Sequence, residues 1–218
     1  MAILKQGLIG TFTGKMGSLV ISKWKNRYVG KSRPKASSKP ATVLQLDYRS
    51  RFALIGQFLR RFQQIIPIGY QDSQVGTTPG NEAMKYNLLH AISGVYPDYK
   101  VDFASVKLSE PGYAGEIDGG TDPVLSVLPQ AKIKLSWKNP ARFNYPHTKD
   151  TDIAYAVFYH PEKKMSVYPT RPLRSKLELE LDLPGMFLGE VHGWLFFGSA
   201  DRKLVSHTQY LGKVTVIA

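Results

Sequence analysis

The sequence predicts an α+β chain: a basic N-terminal module made of a β-hairpin and two helices, followed by a β-sandwich. Three observations carry this. Short β-rich runs flank a polar break near the start, one stretch repeats apolar residues every three or four positions, and the later half places strand-like runs between Pro, Gly, Asn and Asp turns. The 218 residues suit one compact domain or two small ones, and 43% hydrophobic with 21% charged residues is ordinary for a chain that buries a core.

Glycines 7, 10, 14 and 17 mark backbone bends at the start. The run Ser18 to Trp24, a break at Lys25-Asn26-Arg27, and Tyr28-Val29-Gly30 then predict the hairpin. Lys31 to Pro40 is basic, Ser/Pro-rich and almost free of apolar residues, so an extended, solvated bridge is expected. Thr42 to Gln45 fits a capping box. Leu44, Tyr48, Phe52, Ile55, Leu59, Phe62 and Ile66 form one apolar helical stripe, which Pro67 and Gly69 end. A second helix is expected over 81–93.

From Tyr99 the signals are β. Val101 to Phe103 and Val106 to Leu108 read as strand-like, and the Gly/Pro/Asp-rich stretch from Glu110 to Pro123 as a break. Later strands are expected over 131–137, 153–159, 176–183, 191–197 and 209–217. Lys176 to Leu183 alternates strictly, the mark of a strand with one wet face. The expected organisation is a basic module over 1–109, a linker over 110–124 and the sandwich over 125–218.

Charge is distributed unevenly along this layout. Thirteen of the first 65 residues are Lys or Arg and Asp47 is the sole acid among them, so this third carries the entire net charge of +12. Such asymmetry points to a polyanionic partner. The candidate phosphate-binding cations are Lys15, Lys23, Lys25, Arg27, Lys31, Arg33, Lys35, Lys39, Arg49, Arg60 and Arg61, because Lys and Arg neutralise phosphates and release counterions. Trp24 and Tyr28 are candidates for stacking on unpaired bases, or for packing on the apolar stripe of the first helix.

Other chemistries find little footing. The chain has no cysteine, which excludes disulfides and thiolate chemistry. Gly10 to Met16 has three residues between its glycines where a phosphate loop needs four, and Met16 stands where a hydroxyl is required. His90, His147, His160, His192 and His207 are too scattered to seed a metal site, and no nucleophile elbow occurs. Glu110 to Asp122 lacks the alternating carboxylates of a calcium loop. The expectation is a protein that is not an enzyme and has no cofactor, metal, small-molecule substrate or membrane span, located in the cytoplasm or a virion.

Two resemblances add to this. Leu135-Ser136-Trp137 resembles the early strand of a fibronectin type III or immunoglobulin-like sandwich, and Ile153 to Tyr159 the core strand after it. That resemblance covers about residues 125 to 218 and implies a fold, since such sandwiches host many roles. Gly7, Gly10, Gly14-Lys15, Gly17, Trp24, Arg33-Pro34, Lys39-Pro40, Thr42, Gln45, Arg51-Phe52, Tyr86-Asn87, Gly94, Tyr96-Pro97, Ser136-Trp137, Ser206 and Tyr210 resemble an uncharacterised protein family of Bacteroidota. This family supplies no functional residues to carry over. The basic opening is also similar to those of small phage structural proteins. Two functions are therefore expected: low-specificity docking on nucleic acid, or a structural subunit whose basic arm contacts its neighbours.

Overall fold

The computed structural model describes residues 2–4 (backbone only), 13–24, 27–35, 38–71 and 77–217. The chain divides into two compact units, Met1–Thr42 and Val43–Ala218.

The first unit is a four-stranded antiparallel sheet: β1 (Ala2–Leu4), β2 (Gly14–Met16), β3 (Leu19–Trp24) and β4 (Arg27–Ser32), in the order β1-β4-β3-β2. Gly14 and Gly17 have φ of +138° and +57°, backbone that favours glycine and lets the chain enter β2 and turn into β3. β3 and β4 pair from Leu19↔Ser32 to Trp24↔Arg27. Lys31 and Ser32, expected in the solvated bridge, belong to β4, because the ladder continues two residues past Gly30.

The second unit opens with α1 (Val43–Leu59), a 3-10 turn over Arg60–Phe62, the short α2 (Ile66–Gly69) and α3 (Pro79–His90). Thr78 caps α3 by accepting from Asn81 N, and Pro79 occupies the first helical position, where its missing N–H costs nothing. This helix therefore starts two residues before the expected 81 and stops at His90. Ile92–Ser93 forms β5 instead, paired with β6 (Lys100–Val101). Of the stretch from Val101 to Leu108 expected to be strand-like, only Val101 lies in a strand, since Asp102 caps a 3-10 turn over Phe103–Ser105.

Seven strands follow: β7 (Thr121–Leu128), β8 (Lys132–Lys138), β9 (Ile153–His160), β10 (Met165–Val167), β11 (Glu178–Asp182), β12 (Gly189–Gly198) and β13 (Gln209–Val216). They form two antiparallel sheets, β10-β9-β12-β13 and β11-β8-β7. Between them lie Ile133, Leu135 and Trp137 of β8, Leu179 of β11, Ala154, Ala156 and Phe158 of β9, and Val191, Leu195 and Phe197 of β12.

The alternate residues of the same strands point the other way. Tyr155, Val157 and Tyr159 of β9 and Trp194 and Phe196 of β12 pack against Ile55, Phe58, Leu59 and Phe62. The unit is thus layered as helices, four-stranded sheet and three-stranded sheet. β9 and β12 are buried on both faces, which is why they read as nearly unbroken apolar runs. Each fully buried Phe or Leu contributes about 1.5–3 kcal/mol of transfer free energy, so this double coverage is the main support of the unit.

The stretch 110–124, expected to separate two domains, lies inside this unit. Ile117 and Asp118 are buried, and β7 begins at Thr121. Gly69, whose carbonyl accepts from Glu110 N, lies so close to Leu108 that a Cβ would meet its carbonyl oxygen at 2.0 Å. The helices and the sandwich thus share one folded body.

Candidate nucleic-acid interface

Strand register sorts the cations of the first unit. Side chains directly opposite one another in an antiparallel ladder share a face, and alternate residues along a strand return to it. Lys15↔Val20↔Lys31 therefore form one row across β2, β3 and β4, and Trp24↔Arg27 close the same face at the end of the β3–β4 pair. Lys23, Tyr28, Ile21, Leu19 and Met16 occupy the opposite face. The candidates on these strands thus split: Lys15, Arg27 and Lys31 share a face with Trp24, while Lys23 lies with Tyr28, its Nζ 5.9 Å from the ring centroid. Trp24 is 48% exposed and Tyr28 half-buried.

Spacing on the first face follows from strand geometry. Lys15 and Lys31 stand two strands apart, roughly 10 Å, and Arg27 and Lys31 four residues apart, roughly 13 Å. Such a patch spans roughly three to four phosphates of one strand of a duplex. All three side chains are exposed.

Arg33 and Lys35 follow β4 and are exposed, with Arg33 N donating to Ser18 O at 2.6 Å. Lys39 is exposed as well. Lys25 lies outside the described residues. Among the described residues, ion pairs all fall from Lys107 onward, and Lys15, Lys23, Arg27, Lys31, Arg33 and Lys35 take part in none of them.

The remaining candidates stand on the second unit. Arg49 is exposed on α1, and Arg60 and Arg61 are exposed on the 3-10 turn that ends it. The carbonyl of Arg61 accepts from Ser166 Oγ at 2.8 Å and from Tyr168 OH, which ties this turn to β10 and the residue after it. Lys164, absent from the candidates read in sequence, lines a groove with Arg60 and Arg61. No local signal could have found it, since about a hundred residues separate it from the arginines.

The apolar stripe from Leu44 to Ile66, expected on one helix ended by Pro67, runs over α1, the 3-10 turn and α2, with Pro67 in the first turn of α2. It is only half buried. Ile55, Leu59, Phe62 and Ile66 are buried, whereas Leu44, Tyr48 and Phe52 are 62%, 59% and 57% exposed.

The other sites weighed in sequence have structural occupations. Lys15 sits on a strand and not at the start of a helix, as a phosphate loop would need. His90 packs on Tyr86, His160 Nε2 lies 2.9 Å from Leu188 O, and His192 bridges Tyr210 and Glu190. In the acidic stretch, Glu110 pairs with Lys107, Glu116 with His207 and Asp122 with Lys138. Burial raises the pKa of Asp118, but bonds from Tyr145 N, Asn144 and Thr148 Oγ1 outweigh it and hold the carboxyl below its usual range. Among the described residues, no three His, Asp or Glu side chains converge as metal ligands, and no helix is long and apolar enough to cross a membrane.

These features define an α+β protein of mostly antiparallel sheets whose first 65 residues hold thirteen Lys and Arg against one acid. The chain belongs to DUF6266, a family of unknown function whose model matches residues 11–212. No curated protein matches it.

Proposed function

We propose that this is a non-enzymatic protein that docks on nucleic acid through phosphate, with low sequence specificity. The observation that carries the reading is the shared face of Lys15, Arg27 and Lys31 beside exposed Trp24, where the three cations form no ion pair with a described residue. Phosphate contacts position a protein without reading sequence, so affinity should fall steeply with salt. A filter-binding titration at two salt concentrations tests this. Arg27→Gln with Lys31→Gln is expected to lower the salt slope by about two, while Lys23→Gln, on the other face, changes it less. Affinity that is absent or indifferent to salt ends the proposal.

The second unit is read here as an immunoglobulin or fibronectin III-like sandwich serving as the platform. Its support is the strand order, β7-β8-β11 facing β10-β9-β12-β13, with Trp137 buried on the second strand.

One observation favours a second reading, a structural subunit that assembles with copies of itself. Exposed Leu44, Tyr48 and Phe52 form a helical face that a neighbouring copy would cover. Light scattering behind size exclusion separates the readings: a strict monomer at high concentration removes this one.

A further inference from the structure

Between the turn that ends α1 and the turn joining β9 to β10 runs a groove of about 360 Å³. Its floor is aromatic: Phe58, Phe103 and Tyr159 line it, with ring centroids 5.3 to 5.9 Å apart. Three cations, Arg60, Arg61 and Lys164, line it as well, and no acidic side chain does.

The cations are held from two directions. Arg61 is tied through its carbonyl to Ser166 and Tyr168. Lys164 has φ of +51° in a tight turn whose N–H donates to Pro161 O. None of the three forms an ion pair with a described residue, and all are exposed. The nearby Asp102 carboxylate is occupied by Ala104 N and Ser105 Oγ. Burial raises the Tyr159 phenol, and the charge of Arg61 opposes that rise.

An inorganic anion has no use for an aromatic floor, and an apolar ligand has none for three unpaired cations. Together they suit an anion attached to a flat ring. Guanidinium groups hold phosphate oxygens in a fork, and aromatic faces accept any base. The volume falls within the range of small-molecule sites. We propose that this groove binds one nucleotide unit, its phosphate on Arg60, Arg61 and Lys164 and its base against Phe103, the half-buried ring of the floor. The inference rests on the nucleic-acid reading for the source of the ligand, and it adds that a single strand with splayed bases, not a duplex, engages the second unit.

The test uses the full chain, isotope-labelled, titrated with a nucleoside 5′-monophosphate, the nucleoside alone and inorganic phosphate, reading the amide shifts of Arg61, Phe103 and Lys164. The monophosphate is expected to saturate these shifts at lower concentration than either fragment. Lys164→Gln and Arg61→Gln should each weaken it about tenfold, the loss of one charge-assisted contact. Arg27→Gln with Lys31→Gln, on the other unit, should leave it unchanged. Inorganic phosphate binding as tightly as the monophosphate, or shifts indifferent to Lys164→Gln, would overturn the assignment. A parallel titration with a single-stranded oligonucleotide keeps the two ideas apart: mononucleotide binding without oligonucleotide binding upholds the groove and sinks the nucleic-acid reading.

Discussion

Tyr99 donates its hydroxyl to Asp47 Oδ1 at 2.5 Å, so the sole acid among the first 65 residues is engaged within its own unit. Arg51 lies 5.7 Å from the Tyr99 ring centroid, which adds a cation to the same cluster.

Replacing Tyr99 with Phe removes that donor. A lower unfolding midpoint in denaturant is expected, with a smaller shift than a core truncation gives, because the pair is near solvent. The bond to Asp47 needs the phenolic proton and so holds Tyr99 above its usual pKa of 10.0. The unfolded chain loses this proton first, so the stabilisation is present below pH 10 and fades as pH rises through the folded value. Asp47→Asn should remove most of that alkaline dependence.

A second expectation concerns Arg174, which is fully buried. Its guanidinium donates to the carbonyls of Asp118 and Gly119, lies 3.9 Å from the Phe197 ring centroid, and faces Asp152 with Nε to Oδ2 at 3.5 Å. Burial disfavours both charges, lowering Arg174 and raising Asp152. Arg174→Met strands the Asp152 carboxylate and should cost about 3–5 kcal/mol in denaturant titration. Adding Asp152→Leu should restore part of the loss, since an apolar pair needs no partner. A double variant as unstable as the sum of the single ones would contradict this.

Gly69 gives a steric test. An alanine Cβ there would meet Leu108 O at 2.0 Å and Ser109 Cα at 2.8 Å, and neither backbone atom can swing away. Gly69→Ala should therefore cost about 1–3 kcal/mol or more, whereas Gly80→Ala, with nothing within 4 Å of the added carbon, should be close to neutral. Thermal melts of the two variants side by side make the comparison.

His192 predicts a response to mild acid. Its Nδ1 lies 2.7 Å from Tyr210 OH and its Nε2 3.2 Å from Glu190 Oε1, while Lys213 holds the other Glu190 oxygen. Burial lowers its pKa below the usual 6.5, against the pull of Glu190. The unfolded chain takes up this proton near pH 6.5 and the folded chain only at lower pH. The stabilisation is therefore complete above 6.5 and is lost as pH falls through the folded value. Melting at a series of pH values should show that decline, and His192→Gln should flatten it.

Much of this architecture is legible in residue order. The period from Leu44 to Ile66 marks a helical face, and the apolar runs of β9 and β12 mark strands with no wet side. Periodicity names a face without saying whether anything covers it, which is why the stripe of α1 is buried from Ile55 onward and exposed before it. β7 was hidden by its own irregularity. Its register slips between Thr121 and Val124, where Asp122 has φ of +46° and Pro123 follows, so the turn signals there belong to a bulge inside a strand. The alternation of Lys176 to Leu183 overstates its strand by two residues at the start, because Lys176 closes a 3-10 turn and Leu177 has φ of +59°. Residue order marks Arg60 and Arg61 but not Lys164 or the groove they share, which exists only where two distant turns meet.

Double coverage of β9 and β12 also fixes where this chain can be cut. A fragment beginning at residue 125 would halve β7 and strip the helices away, baring Tyr155, Val157, Tyr159, Trp194 and Phe196 to water. That surface would drive fragments together, whatever the integrity of the sheets beneath. A fragment beginning at Val43 keeps all three layers. Dissection of the two units therefore belongs at the Thr42–Val43 bond, and the glycines after Glu110 are no safe place for the scissors.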